Sequence, residues 1–369
     1  MKRVLFLLNH AGRGGTEQYI RTLIQAMDGV SIRAELACNE EGPLSQWARE
    51  RGIPVHSLEM TGPFDRKAVR ALAALCRSRE IDVIHTHFLR ENFIALQAKP
   101  RCPAGTRVIY TYHILTDNSS VQKLCTRLLS RRQDASVANC EAGARRLMEN
   151  GVRAGNIHLI YNAVDPTAWS DPATSIREEL GIGAGDFVFL FAARLVEGKG
   201  HRWLLDSTAE LRKRTDRPFR LILAGDGPLR QDLEDQVREL GLEDVVLFPG
   251  FRSDMSNLYH GADLTVCPSE SETLSLLLLE SLASGTPALA TAVGGIPDIL
   301  SPAHDCGRLI PYGDREALTE SMAELMASPE VLARWRRNAP AVVREKFSVE
   351  TQCRRILSLY EGRDDPLWT

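Results

Sequence analysis

The segment Pro268-Ser-Glu-Ser-Glu272-Thr-Leu-Ser-Leu-Leu-Leu-Leu-Glu280 holds two carboxylates eight residues apart, separated by Leu274 and the run Leu276–Leu279. A strand over Leu264–Cys267 would deliver Glu272 to a loop at its carboxyl end. Glu280 would then sit on the following helix, a little over two turns on, so both carboxylates can face one ligand. A Glu on so apolar a helix needs a partner, because burying an unpaired charge is costly. The plainer alternative that spacing allows is a capping Glu272 and a surface Glu280. Arg194 and Lys199 stand just after a buried strand, Phe187–Ala192, where fixed cations can bind a phosphate; the plain alternative is a solvated basic turn. The chain has no Asp-x-Asp triplet, so one common metal-binding signature is missing and no metal is expected. His113 follows a strand over Val108–Tyr112, and His85 and His87 flank Thr86 with the spacing that puts both on one face of a strand. Two such ligands do not make a metal site, so they read as structural or as lining a cleft. Asp165 sits where a hinge would fall, without the company expected of a catalytic carboxylate.

The elements that must position these residues alternate. Arg3–Leu8 is a β-rich apolar run, followed by Gly12-Arg13-Gly14-Gly15 and an amphipathic stretch, Glu17–Met27, which is the opening of a βαβ unit. The amides of Gly14 and Gly15 could bind an anion at the start of that helix, although most such turns merely turn. Further signals are a helix around Ala68–Cys76, strands at Val83–Thr86 and Val108–Tyr112, a helix around Val121–Arg132 and a strand near Ala135–Asn139. After a Pro- and Gly-containing stretch, 166–185, a second series follows. It comprises strands at Phe187–Ala192, Leu221–Ala224, Val245–Phe248, Leu264–Cys267 and Ala288–Thr291, with helices over Trp203–Arg212, Leu229–Leu240 and Leu276–Ser284. The tail Pro329–Tyr360 reads as helical and is expected to pack back on the first domain. This order predicts an α/β chain of two doubly wound domains, 1–165 and 166–345, with 346–369 returning as a C-terminal helix. Ligands of such sheets bind at the carboxyl ends of the strands, which makes the cleft between the two sheets the expected site.

A length of 369 residues exceeds what one core usually supports, which agrees with two domains. No apolar run approaches a membrane span, and the eight cysteines include no Cys-x-x-Cys pair, so a reducing cytoplasm is expected. Glu17 breaks the dinucleotide glycine pattern and no P-loop sequence is present, which counts against dehydrogenases and P-loop NTPases. The net charge of −3 hides an asymmetry: residues 1–165 carry 23 Lys and Arg against 16 Asp and Glu, a net +7, leaving −10 for the remainder. The basic residues are interleaved with acidic ones, so a nucleic-acid partner is not expected.

The Glu272–Glu280 segment resembles the Glu-x7-Glu motif of the retaining glycosyltransferases of the GT4 family, which have the GT-B fold, two Rossmann-like domains facing each other across a cleft. Arg194-Leu-Val-Glu-Gly-Lys199-Gly is similar to the family's Gly-Arg…Lys-Gly element. Val83-Ile-His85-Thr-His87, Tyr110-Thr-Tyr-His113, Ile160-Tyr-Asn162-Ala-Val-Asp165, Leu223-Ala-Gly-Asp-Gly-Pro228 and Phe347-Ser-Val-Glu350 fall where the family has similar elements. The resemblance implies that Arg194 and Lys199 contact the diphosphate of a nucleotide-sugar donor, that Glu280 holds the ribose and Glu272 a sugar hydroxyl, and that His113 lies near the transferred sugar. It also implies that the loop at Phe251-Arg252 reads the base and that Leu274, Ser275 and Leu276 lie beside the donor. Ala193, Ala163 and Thr273-Leu-Ser275 depart from the family's usual Gly, Gly and Phe-Gly, and Ser275 adds a hydroxyl beside the expected sugar pocket.

The expected activity is transfer of a hexosyl unit from a UDP- or GDP-sugar to an acceptor hydroxyl, with no cofactor beyond the donor, in surface polysaccharide or glycolipid assembly. Retention without an enzymatic nucleophile implies, as proposed for the family, that the leaving phosphate guides the hydroxyl onto the same face. The alternatives are a nucleotide-sugar hydrolase or epimerase of the same architecture, and a non-catalytic nucleotide-sugar-binding partner. The basic first domain is expected to meet a glycan or lipid-linked acceptor that is anionic, or the inner face of the cell membrane. The helix Val121–Arg132, with Leu124, Leu128 and Leu129 on one side and Lys123, Arg127, Arg131 and Arg132 largely on another, would lie on that lipid; a core helix with a solvated face is the bland reading.

Overall fold

The computed structural model describes residues 1–12, 14–113, 115–169 and 176–363. Arg13 of the glycine cluster and 170–175 of the Pro- and Gly-containing stretch lie outside the described residues. The strands are β1 (Lys2–His10), β2 (Ile32–Glu40), β3 (Val55–Ser57), β4 (Val83–Thr86), β5 (Arg107–Tyr112), β6 (Ala135–Ala138), β7 (Ile157–Leu159), β8 (Phe187–Ala192), β9 (Phe219–Ala224), β10 (Val246–Gly250), β11 (Leu264–Cys267), β12 (Ala288–Thr291) and β13 (Gly307–Ile310). The helices are α1 (Gly15–Met27), α2 (Pro43–Glu50), α3 (Arg66–Ser78), α4 (Leu89–Ala98), α5 (Ser120–Leu129), α6 (Glu141–Glu149), α7 (Ile176–Glu179), α8 (His201–Arg214), α9 (Arg230–Glu239), α10 (Met255–Gly261), α11 (Leu276–Ala283), α12 (Ile296–Ile299), α13 (Arg315–Met326), α14 (Pro329–Lys346) and α15 (Val349–Glu361).

Two compact units result, Met1–Ala163 with Val349–Thr369, and Val164–Ser348. The expected divisions, after 165 and after 345, differ by two and three residues. Val164 and Ser348 form a parallel bridge, and the Val164 N–H donates to the Phe347 carbonyl, so both chain crossings fall side by side.

Unit 1 is a seven-stranded sheet in the order β3-β2-β1-β4-β5-β6-β7, parallel at every pairing. Strand β1 buries five consecutive apolar residues, Val4–Leu8, as a strand covered on both faces must. One face receives α1 through Tyr19, Ile20, Leu23 and Ile24 and also α15 through Ile356, Leu359 and Tyr360. The other is covered by α3 and α4. Unit 2 is a six-stranded parallel sheet, β10-β9-β8-β11-β12-β13, whose central β8 buries Phe187, Phe189 and Phe191. Each such ring contributes about 1.5–3 kcal/mol of burial. The strand order reverses between β1 and β4 in unit 1 and between β8 and β11 in unit 2, and ligands of open α/β sheets bind at the carboxyl ends beside such reversals.

No described helix is long and apolar enough to cross a membrane, and all eight cysteines are free.

Helix α5 departs from the bland reading. Of its residues only Thr126 is buried, whereas Val121, Leu124 and Leu128 are 71%, 59% and 54% exposed. Its last turn continues as a 3-10 turn, Ser130–Arg132. The tail expected over Pro329–Tyr360 is two helices, α14 on unit 2 and α15 on unit 1, broken at Phe347-Ser348 where the chain crosses.

Candidate functional site

At the carboxyl edge of the unit 2 sheet, three loops are locked together by glycines. Gly200, just before α8, has φ +83, and a Cβ there would meet the Pro268 carbonyl oxygen at 2.2 Å. Gly225, after β9, has φ +140, and a Cβ would meet the Ala193 oxygen at 2.0 Å. Only a residue without a side chain fits either place, so the loops after β8, β9 and β11 close on one another.

Beside them lies a cavity of about 470 Å³, lined by Ala193, Arg194, Gly225, Asp226, Phe251, Arg252, Met255, Tyr259, Leu277 and Glu280. Glu280 reaches it from α11, and its Oε2 accepts a 2.9 Å hydrogen bond from the Tyr259 hydroxyl on α10. Burial pushes the Glu280 carboxyl up to about 7 against the lowering effect of that bond. The same burial, with the Glu280 charge second, raises Tyr259, so its hydroxyl is a donor at ordinary pH. Arg194 is exposed and makes no ion pair among the described residues. Arg252 is different: its guanidinium is bound to Asp254 and Glu179, which raise its pKa, Asp254 more. Phe251 is 78% exposed.

Lys199 and Glu272 form an ion pair, with Nζ 2.7 Å from Oε1, and the Ser269 hydroxyl donates to the same oxygen at 2.9 Å. The pair is 27% and 15% exposed at the side chains, so each charge is held ready by the other rather than by water. The Glu272 carbonyl accepts from the Gly295 N–H at 3.3 Å, tying the loop to the one after β12. Leu274 and Ser275 are buried, Ser275 as the N-cap residue of α11, and Leu277 rather than Leu276 is the leucine of this helix that lines the cavity.

Unit 1 presents a separate cluster at its carboxyl edge. The His85 Nδ1 lies 2.7 Å from the Tyr360 hydroxyl and its Nε2 2.7 Å from the Thr111 hydroxyl. The His85 and His87 rings stack at 4.5 Å, as expected of two residues on one strand face. The His87 Nδ1 and His113 Nε2 are hydrogen-bonded at 3.1 Å, and the Asn139 Nδ2 donates to the His113 Nδ1 at 3.2 Å. Burial lowers all three imidazoles, His85 and His113 to about 3 and His87 well below its ordinary value, so each is neutral at physiological pH. His113 and His87 line a cavity of about 300 Å³. Gly14 is the N-cap of α1 in an extended conformation that any residue adopts, and a Cβ there would meet only the end of the flexible Glu17 side chain, at 2.8 Å, while a Cβ on Gly15 would meet open space, so neither glycine is demanded by the turn. Asp165 caps its own turn by accepting from the Thr167 N–H and hydroxyl. Among the described residues no cluster of His, Cys, Asp or Glu could hold a metal ion.

Reading the sequence missed Tyr259, Tyr360 and Asn139. The signal for Tyr259 was indirect: a Glu on an apolar helix requires a donor, but nothing in the sequence says which.

Two parallel-sheet units with loops of this kind at their carboxyl edges define the GT-B class of glycosyltransferase fold. The family described as Glycosyl transferases group 1 matches residues 173–342, and that described as Glycosyltransferase Family 4 matches residues 13–168. The chain belongs to this family of glycosyltransferases. It is 26% identical over 306 residues to N-acetyl-alpha-D-glucosaminyl L-malate synthase of Bacillus anthracis, covering 81% of this chain and 78% of that one. It is 31% identical over 280 residues to the D-inositol 3-phosphate glycosyltransferase of Thermobispora bispora, covering 68% and 64%. The fold matches that of Anabaena HepE in complex with UDP, with a TM-score of 0.87 over 98% of this chain and 100% of HepE at 23% identity.

Proposed function

We propose that the protein moves a hexosyl unit from a UDP- or GDP-sugar to an acceptor hydroxyl, with retention of configuration and without a metal ion, in the assembly of a surface polysaccharide or glycolipid. The observation that carries this reading is the unit 2 cavity, which joins a half-buried, desolvated carboxylate, Glu280, to an exposed cation, Arg194, that makes no ion pair among the described residues. A nucleotide sugar has parts to match. Its base would lie against Phe251 and the backbone around Arg252, and its ribose hydroxyls would donate to Glu280, which accepts two at once when ionised. The diphosphate would recruit Arg194 and draw Lys199 from Glu272, freeing that carboxylate for a sugar hydroxyl.

In the reaction the bond between the anomeric carbon and the diphosphate oxygen breaks, and the electron pair leaves with the phosphate. Arg194 and Lys199 stabilise that charge. The acceptor oxygen bonds to the anomeric carbon on the same face and its proton passes to the departing phosphate oxygen. His113 would lie near the transferred sugar as a neutral hydrogen-bonding group, and the amides at Gly14 and Gly15 are further candidates for anion contact. HepE, captured with UDP and with UDP-glucose, favours the uridine donor over the guanosine one.

The protein would work in the cytoplasm at the inner face of the membrane. Support comes from α5, whose exposed Val121, Leu124 and Leu128 are accompanied by Lys123, Arg127, Arg131 and Arg132, a pattern suited to an anionic bilayer. The test is a panel of UDP-, GDP- and ADP-sugars with excess EDTA present, scoring thermal stabilisation, nucleotide release and the anomeric configuration of the product by proton NMR. Stabilisation by a UDP- or GDP-sugar and an α-linked product from an α-linked donor are expected. Stabilisation by none, loss of turnover in EDTA, or an inverted product would overturn the proposal.

A further inference from the structure

Cys76 stands in the last turn of α3 and is fully buried, whereas Cys102 ends the 3-10 turn Lys99–Arg101 that follows α4 and is half-buried. Helices α3 and α4 pack side by side, and both cysteines belong to the apolar layer that covers this face of the unit 1 sheet. We propose that Cys76 and Cys102 are a reversible dithiol/disulfide pair, in which Cys102 attacks a small anionic disulfide of the glutathione type and Cys76 completes the bond. The pair is independent of the glycosyl-transfer reading. Both cysteines precede the amino ends of β4 and β5, at the edge of the sheet opposite the histidine cluster.

A disulfide forms only where two backbones already bring the sulfurs together. Here the neighbours of the two cysteines are tied, because the Arg77 guanidinium donates to the Arg101 carbonyl at 2.5 Å. The Cys102 S–H donates to the Ala98 carbonyl at 3.4 Å, and the Cys76 S–H donates to the Cys102 sulfur. That contact gives the two thiols different roles. The bond from Cys76 lowers the Cys102 thiol, and against the effect of burial Arg77 and Lys99 add to the lowering. The same bond, followed by burial, holds Cys76 far above an ordinary thiol. The thiolate is the nucleophile, so Cys102, the lower and the more exposed of the two, reacts first. Arg77 and Arg101 stand exposed beside it, which suits an oxidant that carries carboxylates.

In the first step the Cys102 thiolate bonds to one sulfur of glutathione disulfide, whose S–S bond breaks and releases one glutathione thiolate. Cys102 is then a mixed disulfide and no longer holds the Cys76 proton, so the chief cause of the high Cys76 value is gone. In the second step Cys76 gives its proton to the released thiolate and bonds to the Cys102 sulfur. The mixed disulfide breaks, and the second glutathione leaves as a thiolate and takes a proton from water. Two protein thiols are oxidised to one disulfide, and one small disulfide is reduced to two thiols. The product ties the last turn of α3 to the end of α4. A dithiol in excess reverses both steps. The separation of the two residues in the sequence hides the pair, since it has none of the close spacing of a Cys-x-x-Cys motif.

The test uses the full chain, reduced and then freed of reductant, and incubated with glutathione disulfide at pH 8. Remaining thiols are blocked, and the protein is digested with trypsin. Mass spectrometry is expected to find the peptides Ala71–Arg77 and Cys102–Arg107 joined by a disulfide. Thiol titration of the denatured protein should count six of the eight thiols, and dithiothreitol should restore all eight. Cys76→Ala should keep one glutathione on Cys102 as a stable mixed disulfide, and Cys102→Ser should leave Cys76 unmodified. Cys125 and Cys353, the other half-buried thiols, serve as internal controls, and Cys102 should react at least tenfold faster than either. If a variant does not fold, the peptide map, thiol count and relative rates of the unaltered chain carry the test alone. Absence of the joined peptides, a Cys102 adduct that Cys76 never displaces, or reaction of Cys102 no faster than Cys125 or Cys353 overturns the proposal.

Discussion

Replacing Tyr259 by Phe removes one hydroxyl, the donor to the Glu280 Oε2 at 2.9 Å, and leaves the ring in place. A hydrogen bond to an ionised group contributes about 1.5–3 kcal/mol. Losing it raises the carboxyl by about 1–2 pKa units. Glu280 starts at about 7, so its midpoint would move to about 8–9. Ribose recognition needs the ionised form, which is therefore the state that binds donor and the one lost as pH falls. At pH 7 the ionised fraction drops by about 5- to 50-fold in Tyr259→Phe, and donor affinity should fall in proportion. The assay is the dissociation constant of UDP or GDP by calorimetry between pH 6 and 9.5. In the wild type, affinity should rise through about pH 7, whereas in Tyr259→Phe the rise should be displaced upward by about 1–2 units and the two curves should converge at high pH. Superimposable profiles would refute the role given to both residues.

The raised Glu280 value also bears on stability. Stability contributed by the protonated carboxyl is fully present below about pH 4.5 and is lost as pH rises through about 7, a change of about 3 kcal/mol. Glu280→Gln should flatten the unfolding free energy, read by urea titration, across that window. Lys199→Ala removes a cation from the leaving group and should lower kcat by about 100- to 1000-fold, with EDTA without effect on the wild type. Unchanged turnover in steady-state kinetics would contradict that. Leu124→Glu combined with Leu128→Glu should abolish sedimentation with phosphatidylglycerol vesicles, and wild-type sedimentation should weaken with salt, each basic residue contributing about 1 kcal/mol at the lipid surface. Tyr360→Phe breaks the hydrogen bond that ties α15 to His85 and should lower unfolding free energy by about 0.5–1.5 kcal/mol in the same titration.

The sequence made visible those elements whose burial is written in consecutive residues. Strands β8, β11 and β12 fall where the apolar runs Phe187–Ala192, Leu264–Cys267 and Ala288–Thr291 stand, because a strand covered on both faces needs no alternation. Strand β2 was not visible, since Arg33, Glu35 and Glu40 interrupt its apolar residues. Glu35 is buried there only because Arg79, 44 residues on, and His56 bind it, and no local pattern carries that information. The same holds at the sites. The spacing of Glu272 and Glu280 drew attention to both residues, but their working partners, Lys199 in the loop after β8 and Tyr259 on α10, are joined to them only by the fold. Helix α5 was legible as amphipathic, but which side faced the core was not. Periodicity gives a face and not its direction, and here the leucines at 124 and 128 point outward.

Binding of UDP and GDP to the wild type, to Arg194→Ala and to Glu280→Gln, followed by calorimetry at pH 8, is the measurement closest to the centre of the functional reading. One of the two nucleotides should bind the wild type, and each substitution, removing a charge-assisted contact of about 1.5–3 kcal/mol, should weaken it by about 10- to 100-fold. Failure of both nucleotides to bind, or equal affinity in all three proteins, would contradict the assignment of the unit 2 cavity to a nucleotide-sugar donor.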